Sequence, residues 1–183
     1  MKGFSLDTKK IRKEIIPDDA DVIIALATGY RKDGPGDSNW ALARIVKEQA
    51  KKLSLPIIIQ GEISDCEPPE FPIIKGGFNI TIRHHRIHGK YLDSVEFMRQ
   101  AREECDYWRW KNIVIVAHPY HIWRVWLIAK FFGFKKVYCV DTTGVPCDKK
   151  SVQIWTRYGP IFWVYNIAAA IYCAALIFFS KNK

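Results

Sequence analysis

The chain lacks the cysteine pattern of a disulfide framework or of a thiolate metal site. Its cysteines are odd in number and none stands at CxxC spacing; they are Cys66, Cys105, Cys139, Cys147 and Cys173. A small disulfide scaffold or a structural zinc site needs paired cysteines at short spacing. We therefore expect small buried side chains or free thiols in a reducing cytosol.

Glycine and proline are also scarce, and no segment is of low complexity. The 183 residues include 11 Gly and 9 Pro, too few for a collagen-like or linker-rich chain. A hydrophobic share of 49% and a charged share of 26% exclude intrinsic disorder. The length and the absence of a linker or internal repeat predict a single domain over 1–183.

Dedicated nucleotide and nucleic-acid motifs are missing as well. No G-x-G-x-x-G follows the first apolar run, and no Walker A sequence or Gly-x-Ser-x-Gly elbow occurs. No zinc-finger, RNP or KH pattern supports a nucleic-acid partner. What the chain does have is a net charge of +9, which favours a phosphorylated metabolite, nucleic acid or acidic lipid headgroup as partner.

Long apolar runs are absent from the N-terminus but not from the C-terminus. Residues 1–21 mix acids with bases and contain no signal-peptide run. Residues 161–179 carry no charge and approach the length that spans a bilayer. Two interpretations stay open: an apolar helix over 161–180 that packs on a cytoplasmic domain, or a membrane anchor or oligomer interface.

Short β-branched runs alternate with segments of helical spacing along most of the chain. The predicted strands are 21–27, 57–60, 78–82, 112–117 and 136–140. The predicted helices are 40–53, 91–105 and 121–132. Continuous apolar strands joined by helical crossovers predict an α/β, Rossmann-like three-layer fold, with a mostly parallel sheet and helices on both faces.

Polar groups follow the predicted strands where each strand ends. They include Thr28 and Gly29 after the first strand, Glu62 after the second, and His118, Tyr120, His121 and Arg124 after the strand at 112–117. Ligands of an open parallel sheet bind beyond the carboxyl ends of its strands. We expect a site at this edge, with the histidines in acid–base or phosphate-binding roles.

The segment 75–90 is rich in Lys, Arg and His and contains no acid. It predicts either a lid over an anionic ligand or a solvated basic face. Two histidine pairs, His84 with His88 and His118 with His121, have helical spacing, but neither has a third ligand at short range. We therefore assign no metal ligands.

Three segments in this order resemble a known family. They are Asp21-Val-Ile-Ile-Ala-Leu, Asp93-Ser-Val-Glu96 and Ile113-Val-Ile-Val-Ala-His-Pro-Tyr-His-Ile-Trp-Arg124. Together they resemble the DUF218 or YdcF-like family, whose relatives include the SanA and ElyC envelope proteins, over roughly 21–140. The most specific segment is His118-Pro-Tyr-His-x-x-Arg124. Phe97 stands where the family usually has Asn.

The resemblance implies a Rossmann-like fold with a polar cleft at the strand ends. The matching positions are Glu62, Asp93, Glu96, His118, Tyr120, His121 and Arg124. From these we expect His118, His121, Glu62 and Asp93 to be catalytic. Thr28, Gly29, Glu96, Tyr120 and Arg124 are expected to bind substrate.

Three functional hypotheses follow. The first is an enzyme, a phosphoester hydrolase or transferase, that acts on a small anionic, phosphate- or nucleotide-containing substrate. The second is a non-catalytic module that binds a nucleotide or S-adenosylmethionine, which the resemblance implies because such binding is attributed to YdcF-type members. The third is a membrane-anchored envelope factor. The candidate cofactors are S-adenosylmethionine and a divalent metal.

Overall fold

The computed structural model describes residues 18–66 and 79–181. The strands are β1 (Val22–Ala25), β2 (Ile57–Gln60), β3 (Asn79–Ile82), β4 (Asn112–Val116) and β5 (Lys136–Cys139). The helices are α1 (Asp37–Leu53), α2 (Gly61–Ser64), α3 (Ser94–Trp108), α4 (Ile122–Phe131) and α5 (Gly159–Lys181), with a 3-10 turn at Ile154–Thr156. The predicted alternation of strands and helices is confirmed.

All five strands form one sheet in the order β3-β2-β1-β4-β5, and every pairing is parallel. The chain builds outward from β1 to β3 and then crosses to the other side of β1 to continue with β4 and β5. The strand order therefore reverses between β1 and β4, whose register pairs Ala25 with Val116. A crevice opens at such a reversal, beyond the carboxyl ends of the two strands.

The sheet is covered on both faces, which makes a three-layer structure. Alternate residues of β1 belong to opposite cores: Ile23 packs with α1 and α2, whereas Ile24 packs with α3 and α4. Both side chains are fully buried. Burial on two faces explains why the strands read as continuous apolar runs, and it confirms the predicted Rossmann-like fold.

Two helices begin at residues other than those predicted from the sequence. In α1 the side chain expected to cap the helix makes its hydrogen bond with another segment. We expected a helix from Trp40 capped by Ser38 or Asn39, but α1 begins at Asp37 after Gly36. Asn39 accepts a hydrogen bond from the Thr28 amide instead. The predicted helix from 91 begins at Ser94, and the four-residue helix α2 has too little length to show a periodic pattern.

The C-terminal apolar segment forms α5, which packs mainly against α4 and the 3-10 turn. Its buried residues include Phe162 and Cys173, and the latter joins the core shared by α3 and α4. Across the described ranges, no helix has both the length and the apolarity that crossing a membrane requires.

A buried ion pair ties the loop after β1 to the segment that follows β5. Arg31 Nε lies 2.8 Å from Asp148 Oδ2, and the Asp148 side chain is fully buried. A Cβ on Gly36 would lie 2.0 Å from the same carboxylate oxygen, so only glycine fits there. The carboxylate raises the pKa of Arg31 and keeps it charged.

We expect Arg31→Ala to destabilise the fold by about 3 kcal/mol, because it leaves the buried Asp148 carboxylate without its cation. Urea unfolding followed by circular dichroism measures this change. The control is Lys32→Ala, which removes the same charge from an exposed neighbour and should cost at most about 0.5 kcal/mol. Equal stability of the two variants would contradict the structural role of the pair.

Candidate functional site

A cavity of about 400 Å³ lies at the predicted edge of the sheet. Its floor is the loop after β1 and Gln60 at the end of β2. The N-termini of α3 and α4 contribute polar walls, and the segment 153–156 with α5 closes the remaining side. The cavity therefore occupies the crevice that the strand reversal creates.

Five of the predicted site residues line this cavity: Thr28, Gly29, Asp93, His121 and Arg124. They come from the ends of β1 and β4 and from the start of α3, positions far apart in the chain. Their convergence is what the strand-end argument predicted. The five side chains therefore share one location.

Arg124 is the main charge in the cavity and is buried. Its Nη2 donates to His121 Nε2 at 2.7 Å and to Ser94 Oγ at 3.2 Å, while its buried Nε has no hydrogen-bond partner. Within 18–66 and 79–181, no carboxylate forms an ion pair with it. The ring of Tyr165 lies under the guanidinium, 5.7 Å from Cζ.

His121 is a neutral imidazole with a defined tautomer. Burial, and then the charges of Arg124 and His118, hold its pKa well below the usual value. An arginine only donates hydrogen bonds, so the Nε2 that faces Arg124 is the unprotonated acceptor and Nδ1 carries the proton. The lone pair of Nε2 is therefore available to accept a hydrogen bond.

Asp93 and Ser94 begin α3 at the edge of the cavity. Asp93 Oδ1 accepts hydrogen bonds from the amides of Val95 and Glu96, which makes Asp93 the N-cap. Ser94 Oγ lies 3.1 Å from His121 Nε2. We did not predict Ser94 as a site residue, although its place in Asp93-Ser-x-Glu96 was a signal that could have found it.

Thr28 and Gly29 form a fixed loop over the end of β1. The Thr28 amide donates to Asn39 Oδ1 at 2.8 Å, and its buried Oγ1 has no partner in the described structure. Gly29 has φ of +75°, and a Cβ there would lie 3.0 Å from Ser151 Oγ. Thr28 Oγ1 is thus a second polar atom that is available to a ligand.

A further wall of the cavity is aromatic and borders Arg124 through Tyr165. Trp155 and Tyr165 stack with their ring centroids 5.1 Å apart, and Phe162 and Tyr172 extend this surface along α5. The sequence did not reveal this wall, because 161–179 was interpreted as a cover or an anchor. Only the folding of α5 over the strand ends turns the apolar pattern into a binding surface.

His118 and Tyr120 do not line the cavity, contrary to their expected roles. The His118 ring is buried between Tyr120 and Phe162, at centroid distances of 5.5 and 5.0 Å. Burial lowers the pKa of His118 to about 4, against a hydrogen bond to the Pro146 carbonyl that raises it. Both residues support the loop that leads into α4.

Glu62 and Glu96 also lie away from the cavity. Glu62 lines a neighbouring cavity with His84, His85 and His88, and burial raises its pKa. Glu96 is buried beneath α3, where burial works against its charge but Arg86 and Gln100 hold its pKa below the usual value. The positions that match the family are therefore not gathered in one place: Glu62 lines two other cavities, Glu96 and His118 are buried, and Tyr120 is exposed.

The basic segment is partly neutralised. Arg83 pairs with Asp65 at 2.7 Å, and Arg86 pairs with Glu96 and Glu103. Of the predicted lid, residues 75–78 lie outside the described residues. No group of three or more His, Cys, Asp or Glu side chains in the described part of the chain is arranged to hold a metal ion.

Comparison with known proteins adds no relative. The chain matches no family model, no curated protein and no solved structure. The DUF218 resemblance therefore stays a prediction that rests on the residues quoted above.

The buried His118 predicts a loss of stability in mild acid. Its pKa of about 4 in the folded protein lies below the ordinary histidine value of 6.5, so the unfolded chain gains the proton first as the pH falls. The contribution of His118 to the free energy of unfolding is fully present above pH 6.5. It falls by about 3 kcal/mol as the pH decreases from 6.5 to 4.

We expect His118→Gln to reduce the pH dependence of unfolding over that interval. Urea unfolding at several pH values measures the slope for the wild type and the variant. His84→Gln, a change at an exposed histidine, should leave the slope as it is. A slope unchanged by His118→Gln would show that the ring is not the titrating group.

Proposed function

We propose that this protein is an enzyme of the DUF218 type that binds a small phosphate- or nucleotide-containing anion in the cavity at the strand ends. The observation that carries the proposal is the buried guanidinium of Arg124, which has no carboxylate partner in the described structure. A buried charge is costly unless it is paired. An anionic ligand supplies the missing pair.

The surroundings of Arg124 suit a phosphate group in particular. The guanidinium presents a planar set of donors that matches phosphate oxygens. Helix α4 begins at Ile122, close to Arg124 and His121, and a helix N-terminus favours negative charge. Thr28, which also lines the cavity, adds a buried hydroxyl that has no partner among the described residues.

The aromatic wall suits the rest of such a ligand. A cavity of about 400 Å³ has the size of a site for a small organic molecule. Because the stacked rings of Trp155 and Tyr165 lie beside the charge of Arg124, the cavity favours a ligand that joins an anionic group to a flat ring. Nucleotides have this form.

The second candidate is a non-catalytic module for S-adenosylmethionine. That molecule also joins an anionic group, its carboxylate, to an adenine ring, so the same two walls favour it. The neutral His121 beside Ser94 distinguishes the candidates, because a proton acceptor next to a hydroxyl serves turnover and is not needed for retention.

Arg124→Met should weaken the binding of AMP by about 30-fold or more, since a hydrogen-bonded charge contributes about 2–3 kcal/mol. Isothermal titration with AMP, inorganic phosphate, S-adenosylmethionine and uncharged adenosine measures this. Arg102→Met is the matched control: it removes the same charge from the outer part of α3, where Arg102 pairs with Asp106. Equal affinity of Arg124→Met and wild type would overturn the proposal, as would failure of both AMP and inorganic phosphate to bind the wild type.

The same substitution should leave the ligand-free fold at least as stable as the wild type. Arg124 loses hydration on burial without gaining an ion pair, and methionine fills similar space with no such cost. Thermal unfolding without ligand measures this. A loss of more than about 2 kcal/mol would show that Arg124 is a structural residue rather than a binding residue.

A further inference from the structure

Ser94 and His121 have the geometry of a nucleophile and its base. Ser94 Oγ lies 3.1 Å from His121 Nε2, within the distance for transfer of a proton. Ser94 is half-buried and faces the cavity as the first residue of α3. The hydroxyl is therefore accessible to a ligand in the cavity.

Arg124 competes for the same nitrogen. Its Nη2 lies 2.7 Å from His121 Nε2 and 3.2 Å from Ser94 Oγ. Nε2 has a single lone pair, which cannot accept from both donors at full strength. An anion that draws the guanidinium toward itself leaves Nε2 to the hydroxyl, so binding of the ligand and activation of the serine are coupled.

We propose that Ser94 is the nucleophile of this site and that His121 is its general base. This inference rests on the proposed function and specifies its reaction as the hydrolysis of a phosphate monoester through a phosphoserine. Arg124 neutralises charge on the phosphoryl oxygens while the serine attacks.

In the first step, Ser94 Oγ forms a bond to phosphorus as its proton passes to His121 Nε2. The bond from phosphorus to the ester oxygen breaks, and that oxygen leaves as an alcohol with the proton from Nε2. In the second step, water attacks phosphorus and gives a proton to Nε2. The bond between Oγ and phosphorus breaks, phosphate leaves, and the proton returns to Ser94.

The other nucleophilic side chains of the cavity lack these features. Thr28 Oγ1 has no hydrogen-bond partner among the described residues, and so no base there. Cys173 is buried, and burial raises the pKa of its thiol even though Arg124 lowers it. Ser151, just behind the cavity, is fully buried and binds the backbone of Tyr30.

The test is covalent labelling of the full chain with a fluorophosphonate, which reacts with activated serines through loss of fluoride. We expect one adduct on wild type at Ser94, located by peptide mass spectrometry, and none there on Ser94→Ala. His121→Gln should react at least about 100-fold more slowly than wild type. The control Ser64→Ala, at a serine near Thr81 outside the cavity, should label like wild type.

The pH profile tests the base without any substitution, in case His121→Gln fails to fold. Because burial keeps His121 neutral, the labelling rate of wild type should change less than about twofold between pH 6 and 8. No adduct at Ser94, or a rate that rises about tenfold over this range, would overturn the proposal.

Protection by AMP separates this inference from the proposed function. Saturating AMP should slow labelling of the wild type, since it occupies the same cavity. Labelling at Ser94 that AMP does not affect would support the nucleophile and count against the anion site. AMP binding in titrations without any labelling would support the anion site and refute the nucleophile.

Discussion

The parallel pairing of β1 with β4 is the constraint on which the candidate site depends. These strands are far apart in the chain, yet their register sets Ala25 beside Val116. The chain leaves both strands at the same edge, so the Thr28–Gly29 loop and the start of α4 face each other across one crevice. That register therefore fixes the gap across which the end of β1 faces His121 and Arg124.

The site is a local exception to the rule that buried charges are paired. Elsewhere the rule holds: Asp148 is neutralised by Arg31, and Glu96 by Arg86 and Arg99. Among the described residues, the side chains that hydrogen-bond to Arg124 are a neutral ring and a hydroxyl. A buried charge without an ion pair, in a protein whose other buried charges are paired, is typical of a functional site.

The fold and about half of the site residues could be predicted from the sequence. Two-sided burial makes each strand a continuous apolar run such as Val22–Ala25, which a sequence shows directly. The edge of the sheet then follows, and with it His121 and Arg124. The directions in which side chains point could not be predicted. His118 is three residues from His121, but its ring packs against Phe162. A loop has no periodic pattern that would indicate this orientation.

The parts that sequence analysis missed depend on contacts between distant segments. Ser94 acquires meaning only because α3 starts beside His121, and Asp93 fixes that start by capping the helix. The aromatic wall exists because the segment around Ser151 binds the Tyr30 backbone and thereby directs α5 over the strand ends. The apolar side chains of α5 serve a cavity as well as a core, two uses that an apolar pattern in the sequence does not distinguish.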